Sequence, residues 1–296
     1  MKKTGWLIAI VIAIVIVFCT AQLTSVKFLD PLKIGGKNQE AQQARMNVPP
    51  IGSNMIFVDE FTEGTIPNPA YWELCVYANN AWSQHFKHVE GYENVRVEDG
   101  YLKIRADKKD GIYKNGGIRT SIGFPLNTRV EVKARLNRQV RGGFPAIWQM
   151  PMGAPDWPRG GEIDLMEWVQ GTPNQIYQTI HTYYSNGDYG SDGITNPNPD
   201  TNFDVTKDHV YAVDRTEKEL IFYVDGEETW RYANMYLEDE ETRLQYPFSK
   251  YNFDIILNFS LGGLLNGNPT WPGDIHDEDL PGEMWVDWVK VSELFR

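Results

Sequence analysis

The sequence predicts an all-β fold, a β-sandwich or jelly roll, from three observations. Short apolar stretches alternate with turn residues from Met55 onward. Two Asp-Gly pairs, Asp99-Gly100 and Asp225-Gly226, separate alternating apolar segments, which is the pattern of two-residue hairpin turns. No long stretch has a clean helical period. A chain of 296 residues then suits one sizeable β domain with appendages.

The alternating segments give the expected strands in order. They are residues 95–97, 102–106, 130–136, 162–167, 178–184, 221–224, 255–261 and 285–291. One surface helix is expected over 235–244. The stretch 185–204 is rich in Gly, Asn, Asp and Pro, and we expect it to be a functional loop beside the residues that His181 faces.

Residues 1–21 are predicted to be a signal peptide. Two lysines precede an apolar run from Trp6 to Phe18, and small residues follow it. The run is short for a transmembrane helix, so export to the periplasm, cell surface or medium is expected. A lipid anchor at Cys19 and an uncleaved membrane anchor are the alternatives. Residues 22–53 are predicted to be a linker, and 54–296 to be the catalytic domain.

The net charge of −12 bears on possible partners. Nucleic acids and anionic membrane surfaces require a basic patch, so neither is expected, and strongly sulfated polysaccharides are disfavoured. The aromatic content of 13% suits a carbohydrate-binding protein, and we expect a monomer. After signal cleavage Cys75 would be the one remaining cysteine. Its apolar neighbours predict a buried small hydrophobe rather than a nucleophile.

Three carboxylates lie on one short apolar stretch: Glu162, Asp164 and Glu167. In a strand, Glu162 and Asp164 share a face, whereas Glu167 would point to the other face. A β-bulge at Leu165-Met166 would bring Glu167 back to join them, and bulges favour active sites. Two carboxylates about 5 Å apart are what retaining glycoside hydrolysis requires. The alternative, a solvated strand face, is disfavoured because acidic residues are poor strand formers.

Tryptophans on either side of this stretch favour a sugar site. Trp148, Trp157 and Trp168 lie close to it in sequence, and flat aromatic faces stack on the apolar faces of sugar rings. Any one of them could instead be a core residue.

The acidic stretch and its ordered flanks resemble the glycoside hydrolases of family 16, specifically the laminarinase-like members with a bulged acidic strand. The resemblance covers about residues 56–291. The matching segments are 57–61, 94–100, 145–148, 157–167, His181, 222–226, 257–263 and 286–291. It implies a concanavalin A-like jelly-roll sandwich with a concave cleft for a polysaccharide substrate.

The resemblance also implies the catalytic roles. By motif position, Glu162 is the nucleophile, Glu167 the general acid/base, and Asp164 the residue that tunes them. The order of residues alone does not distinguish the two glutamates. Three adjacent carboxylates cannot all ionise cheaply, so at least one pKa is expected to be raised.

Further site residues are expected in the cleft. Those that we expect to bind substrate are Trp82, Trp148, Trp157, Arg159, His181 and Asn258. His181 could hydrogen-bond a carboxylate or a sugar, or be purely structural. Relatives also bind a calcium ion on the convex side, where Asp287 and nearby backbone carbonyls would supply oxygen ligands. No other cofactor is expected.

The expected function is an exported, endo-acting, retaining β-glycoside hydrolase. Its expected substrate is a β-1,3- or mixed-linkage β-glucan, cleaved by double displacement. The alternatives are an endo-β-galactosidase acting on agar-like or mucin-type glycans, and a non-catalytic glycan-binding protein on the same sandwich. A lectin would need the tryptophans but not both Glu162 and Glu167.

Overall fold

The computed structural model describes residues 54–75, 82–187, 192–239 and 242–294. The predicted signal peptide and linker, residues 1–21 and 22–53, lie outside this part of the chain. Within it, no helix has the length and apolar character needed to cross a membrane.

The described residues form eighteen strands and one short helix. The strands are β1 Met55–Asp59, β2 Trp72–Leu74, β3 Val95–Glu98, β4 Tyr101–Lys109, β5 Ile112–Lys114, β6 Gly116–Thr120, β7 Thr128–Leu136, β8 Gly143–Gln149, β9 Glu162–Glu167, β10 Tyr177–His181, β11 Ile194–Thr195, β12 His209–Arg215, β13 Glu219–Val224, β14 Glu227–Ala233, β15 Ile256–Leu261, β16 Leu264–Leu265, β17 Asn268–Pro269 and β18 Gly282–Glu293. The helix is α1 Tyr183–Asn186, and 3₁₀ turns cover Phe86–His88, Thr242–Gln245, Pro247–Ser249 and Asp277–Asp279.

Two large antiparallel sheets make up the sandwich. The first has the order β14-β13-β12-β7-β18-β4-β3, with β1 beside β18 and β5 beside β4. The second has the order β11-β10-β9-β8-β15-β6-β2. Apolar side chains from both sheets form a common core, for example Ile104 and Val132 from the first and Ile163 and Leu257 from the second. The predicted all-β jelly-roll sandwich is confirmed.

Both predicted hairpins are present. Asp99 (φ 55°) and Gly100 (φ 75°) join β3 to β4, and Asp225 (φ 53°) and Gly226 (φ 85°) join β13 to β14. A type I′ turn needs positive φ at both central residues, which Asp-Gly tolerates well.

The helix predicted over 235–244 is wrong. Residues 234–238 are irregular, and among the residues of this stretch that the structure describes, helical geometry is limited to the 3₁₀ turn Thr242–Gln245. The Gln245 side chain accepts a hydrogen bond from the Met235 N–H (3.0 Å) and donates one to the Ala233 carbonyl (2.9 Å). These bonds hold the backbone after β14 in an irregular, non-helical conformation.

The strand predicted over 178–184 ends three residues early, at His181. Thr182 is the N-cap of α1 instead. Its hydroxyl accepts a hydrogen bond from the Ser185 N–H (3.1 Å), and the Ser185 hydroxyl accepts one from the Thr182 N–H (3.1 Å). This reciprocal capping box stabilises a helical turn where the apolar pattern suggested more strand.

Candidate active site

The acidic strand β9 lies between β8 and β10 and contains the predicted bulge. Along β8, Met166 pairs with Ile147 and Asp164 pairs with Trp148, so Leu165 is the extra residue. Leu165 and Met166 both point into the core. Because two successive side chains are buried, the next one, Glu167, faces outward with Glu162 and Asp164. The bulge at Leu165-Met166 is confirmed.

Hydrogen bonds connect the three carboxyl groups to each other and to their neighbours. Trp157 Nε1 donates to Glu162 Oε2. Asp164 is hydrogen-bonded to Glu162, and the Thr179 side chain is hydrogen-bonded to Glu167. These contacts bring the carboxyls together on the face of the sheet that is opposite the core.

The surroundings of the three carboxyl groups give them different protonation states. Burial first, and the charge of Glu162 second, raise the pKa of Glu167 to about 8. Burial, followed by the charges of Glu167 and Glu162, holds the pKa of Asp164 well above its ordinary value. Burial also raises the pKa of Glu162, but hydrogen bonds from Trp157 and Asp164 oppose it. A protonated Asp164 therefore donates to Glu162, whose anion is supported by two donors.

The structure determines which ring nitrogen of neutral His181 carries the proton. Asn186 Oδ1 accepts hydrogen bonds from the Ser185 hydroxyl (2.8 Å) and the Thr182 N–H (3.3 Å), which fixes the orientation of the amide. Asn186 Nδ2 must then donate to His181 Nδ1, 2.9 Å away. The proton of the neutral ring is therefore on Nε2.

The Nε2 proton of His181 faces Asp164. His181 Nε2 lies 3.6 Å from Asp164 Oδ2, a buried oxygen that has no hydrogen-bond partner among the described residues. A chain of polar contacts thus leads from α1 to the acidic strand, through Asn186, His181, Asp164 and Glu162 in that order.

The three tryptophans that we expect to bind substrate, Trp82, Trp148 and Trp157, lie on the carboxylate side of the sheet. Trp168, the other tryptophan near the acidic stretch, is fully buried in the core. Trp157 contacts Glu162, and its ring centroid is 5.6 Å from that of His181. Trp148 pairs with Asp164 across the strands, and paired residues share a face. Trp82 packs edge-to-face on Trp148, with ring centroids 5.0 Å apart. Their aromatic faces can line a cleft for a sugar chain.

Two expected substrate contacts have other partners. Arg159 Nε lies 3.1 Å from Asp156 Oδ2, and its guanidinium carbon is 3.8 Å from the ring centroid of Tyr183, so it connects the loop before β9 to α1. Asn258 is only 1% exposed. Its Oδ1 accepts from Trp148 Nε1 (2.7 Å), and its Nδ2 donates to Ser260 Oγ (3.0 Å). Because its polar atoms are engaged inside the protein, Asn258 supports Trp148 instead of contacting sugar directly.

Asp287, the expected calcium ligand, is paired with a lysine. Lys133 Nζ donates to Asp287 Oδ2 at 2.9 Å, so an ammonium group already balances this carboxylate. Calcium binding stays a prediction, and this contact argues against Asp287 as a ligand. Among the described residues, the group with metal-ligand spacing is Glu162, Asp164 and His181, whose ligand atoms lie within 4.8 Å of one another.

Cys75 is half-buried and packs against the cluster that contains Trp148, Ala146 and Ile256. Burial raises the pKa of its thiol to about 12. The thiol therefore stays protonated at neutral pH, which suits a packing role and not a nucleophile.

Sequence reasoning missed three residues near the carboxyls: Thr179, Asn186 and Trp271. Trp271 is 52% exposed, and its ring centroid is 5.4 Å from that of Phe144 and 5.0 Å from that of Tyr177, which pairs with Glu167. Its loop has no strand or helix pattern that could have placed it. The Thr-x-x-Ser capping pattern at 182–185 was the available signal for the turn that carries Asn186.

Comparisons with known proteins agree with this geometry. The family model described as glycosyl hydrolases family 16 matches residues 82–290. A chain from the solved structures of endo-acting O-glycanases, which prominent members of the human gut microbiota express to initiate mucin breakdown, is 69% identical. It aligns with a TM-score of 0.80 over 82% of this chain and 100% of its own length.

Two curated relatives are more distant. A β-glucanase of Rhodothermus marinus is 31% identical, and the match covers 80% of this chain and 84% of the relative. A keratan-sulfate endo-1,4-β-galactosidase of Sphingobacterium multivorum is 28% identical over 99% of this chain and 68% of the relative. The family match includes the whole acidic strand and most of both sheets, so the chain is a glycosidase and belongs to the glycosyl hydrolases of family 16.

Proposed function

We propose that the chain is an exported, endo-acting, retaining β-glycoside hydrolase that cleaves internal β-galactosides of mucin-type O-glycans. One observation carries the reaction: the bulged strand presents Glu162, whose anion is supported by two donors, beside Glu167, which burial keeps protonated near pH 7. A nucleophile and an acid in those protonation states are what double displacement requires.

In the first step, a Glu162 oxygen attacks the anomeric carbon and forms a glycosyl ester. The bond from that carbon to the leaving oxygen breaks, and Glu167 gives its proton to the oxygen. Asp164 supports the Glu162 carboxylate by its hydrogen bond and is oriented by His181.

In the second step, the Glu167 carboxylate takes a proton from water, and the water oxygen attacks the anomeric carbon. The ester bond breaks, Glu162 leaves as a carboxylate, and the sugar regains its original configuration. A sugar hydroxyl in place of water would give transglycosylation by the same residues.

Sequence identity to the relatives favours mucin-type O-glycans over β-glucans as the substrate. The O-glycanase chain is 69% identical, against 31% for the β-glucanase. The relative that spans nearly the whole chain is a galactosidase. A β-1,3- or mixed-linkage β-glucan is the second candidate, because the β-glucanase shares the family and most of its length aligns.

Export is proposed from the basic and apolar residues at the N-terminus. Cell fractionation and N-terminal sequencing of the exported protein test it. A full-length chain recovered only from the cytoplasm would contradict it.

Product analysis on a panel of polymers tests the substrate. Mucin O-glycans, β-1,3-glucan, mixed-linkage β-glucan and agar are incubated with the purified protein, and released oligosaccharides are identified by mass spectrometry. We expect internal cleavage of O-glycans at least about tenfold faster than of either glucan. Faster glucan cleavage would overturn the substrate class and leave the reaction type intact.

The Glu162→Gln variant is the matched test of the reaction. An amide cannot attack the anomeric carbon, so hydrolysis should fall to near zero with folding retained. Glu73→Gln, at an exposed position of β2, is the control and should match the wild type. Residual activity above about a tenth of wild type would remove Glu162 from the nucleophile role.

A further inference from the structure

A second cavity lies behind the catalytic sheet. It has a volume of about 670 Å³ and is formed by β10, the segment 196–209 and the residues around the β13–β14 turn. Gln178 identifies the side on which it lies. Its neighbour Thr179 contacts Glu167, and successive side chains of a strand point to opposite faces, so Gln178 points away from the carboxyls. The cavity is therefore separate from the cleft.

Gln178 is a buried polar residue of this cavity and is only 2% exposed. Its Oε1 accepts hydrogen bonds from Thr229 Oγ1 (2.8 Å) and Asn196 Nδ2 (3.1 Å). The Asn196 amide fixes the orientation of the Gln178 amide. Asn196 Oδ1 accepts from the Asn198 N–H (2.9 Å), so Asn196 Nδ2 faces Gln178, and a flipped Gln178 would place Nε2 against that donor. Nε2 is then buried and has no hydrogen-bond partner in the described part of the chain.

An N–H group held in this way calls for an acceptor oxygen. Leaving a buried donor unpaired is costly, and such groups in folded proteins are nearly always satisfied. The fixed amide orientation prevents Gln178 from turning to find another partner. An acceptor supplied from the cavity would meet the requirement.

The rest of the lining favours a neutral hydroxylated ligand. Exposed amides at the rim, on Asn198 and Asn202, can both donate and accept. Carboxylates outnumber basic groups in the lining, so they accept from hydroxyls and repel anions. The five carboxylates are on Asp200, Asp204, Asp225, Glu227 and Glu228, and the two basic side chains are Lys207 and His209. Phe203 supplies an apolar wall.

We propose that this cavity is a second carbohydrate site that binds a neutral sugar unit, with Gln178 Nε2 donating to one of its oxygens. Its volume lies within the range of small-molecule sites. The site is independent of the bond that the cleft cleaves, so its test does not require hydrolysis.

Nuclear magnetic resonance of the Glu162→Gln protein tests the site, because that variant consumes no sugar. Galactose and N-acetylglucosamine are titrated separately, and the Gln178 side-chain amide signals are followed. The Trp157 indole N–H, which contacts Glu162, reports on the cleft. We expect a saturable shift of the Gln178 amide with its own midpoint, and none with the anionic sugar sialic acid.

Two substitutions then locate the binding. Gln178→Met removes the donor at similar size, and because it also removes the Gln178 signal, its binding is followed by the Asn198 side-chain amide at the rim. Asn202→Trp fills the rim from an exposed position and is followed by the Gln178 amide. Each substitution should raise the sugar concentration at half-saturation of the cavity at least about tenfold. Lys109→Trp, at an exposed position outside the cavity, should leave it unchanged. Shifts confined to the Trp157 region, or an Asn202→Trp protein that binds like its parent, would overturn the proposal.

Discussion

Glu167 is a weaker acid than an ordinary glutamate, because burial and the neighbouring Glu162 charge raise its pKa to about 8. As general acid it must start protonated. We therefore expect kcat/KM to fall as the pH rises through about 8, since the free enzyme then loses that proton. A pH–rate profile measures this. A descending limb near pH 5 would contradict the role of Glu167.

The same residue makes folding stability depend on pH. The folded pKa of about 8 exceeds the unfolded value of about 4.3, so the folded state binds more protons between them. The contribution of Glu167 is thus present below about pH 4 and is lost as the pH rises through about 8.

Glu167→Gln should remove that dependence. At about pH 9 its Tm should exceed that of the wild type by at least about 2 °C, and the difference should vanish below about pH 4. Calorimetry over a pH series measures it, with Glu73→Gln as control. An equal Tm difference between Glu167→Gln and the wild type at every pH would contradict the titration assigned to Glu167.

Asn186 offers a test of the His181 tautomer. Asn186→Asp is isosteric but places a carboxylate oxygen opposite Nδ1, so the ring proton should move to Nδ1 and leave Asp164 facing a bare Nε2. We expect kcat to fall about 2- to 10-fold, the value of one net hydrogen bond. Nitrogen-15 shifts of the His181 ring report the tautomer.

Asn54→Asp, at an exposed position before β1, is the matched control for that change. An unchanged His181 tautomer in Asn186→Asp, together with full activity, would show that the amide does not position the ring.

At the scale of elements, the bulge in β9 determines how far apart the two glutamates stand. A retaining pair is separated by roughly 5–5.5 Å, and an inverting pair by roughly 6.5–9.5 Å. Two residues separate Asp164 from Glu167, and both point into the core, so the strand brings the glutamates back to one face. We expect products to appear first as the β-anomer in a proton NMR time course. Early α-product would contradict retention.

Those elements that have local signals could be predicted from the sequence. The Asp-Gly turns require only two adjacent residues, and both hairpins form as expected. The bulge followed from parity, because three carboxylates on a regular strand would be split between two faces. The alternation of β7 was equally visible, since from Val130 onward its buried and half-buried residues follow a period of two.

Other elements depended on contacts that sequence periodicity does not show. The turn at 182–186 interrupts an aromatic run that reads as strand, and its capping bonds outweigh that preference. Asn258 looked like a cleft residue, yet its amide is used to hold Trp148. Trp271 reaches the site from a loop whose path depends on long-range contacts with Phe144 and Tyr177.

For the whole molecule, net charge bears on substrate choice. At −12 the protein repels polyanions, although a relative with 28% identity acts on keratan sulfate. We expect desulfated keratan to be cleaved several-fold faster than the sulfated polymer at low salt, and the gap to narrow as salt screens the charges. A neutral chromogenic glycoside is the control and should show little salt dependence. Faster cleavage of the sulfated polymer would point to a local basic subsite.

The helical turn α1 has a consequence for heat tolerance. It has four residues and is too short to be stable alone. The Thr182–Ser185 capping box and the packing of Arg159 on Tyr183 hold it, yet it carries the amide that orients His181. By contrast, strands β9 and β10 contribute to a core that is shared by two sheets. Local opening costs less free energy than global unfolding. On warming, the enzyme should therefore lose turnover reversibly while its sandwich is still intact, so its working limit is set by one turn and not by its melting temperature.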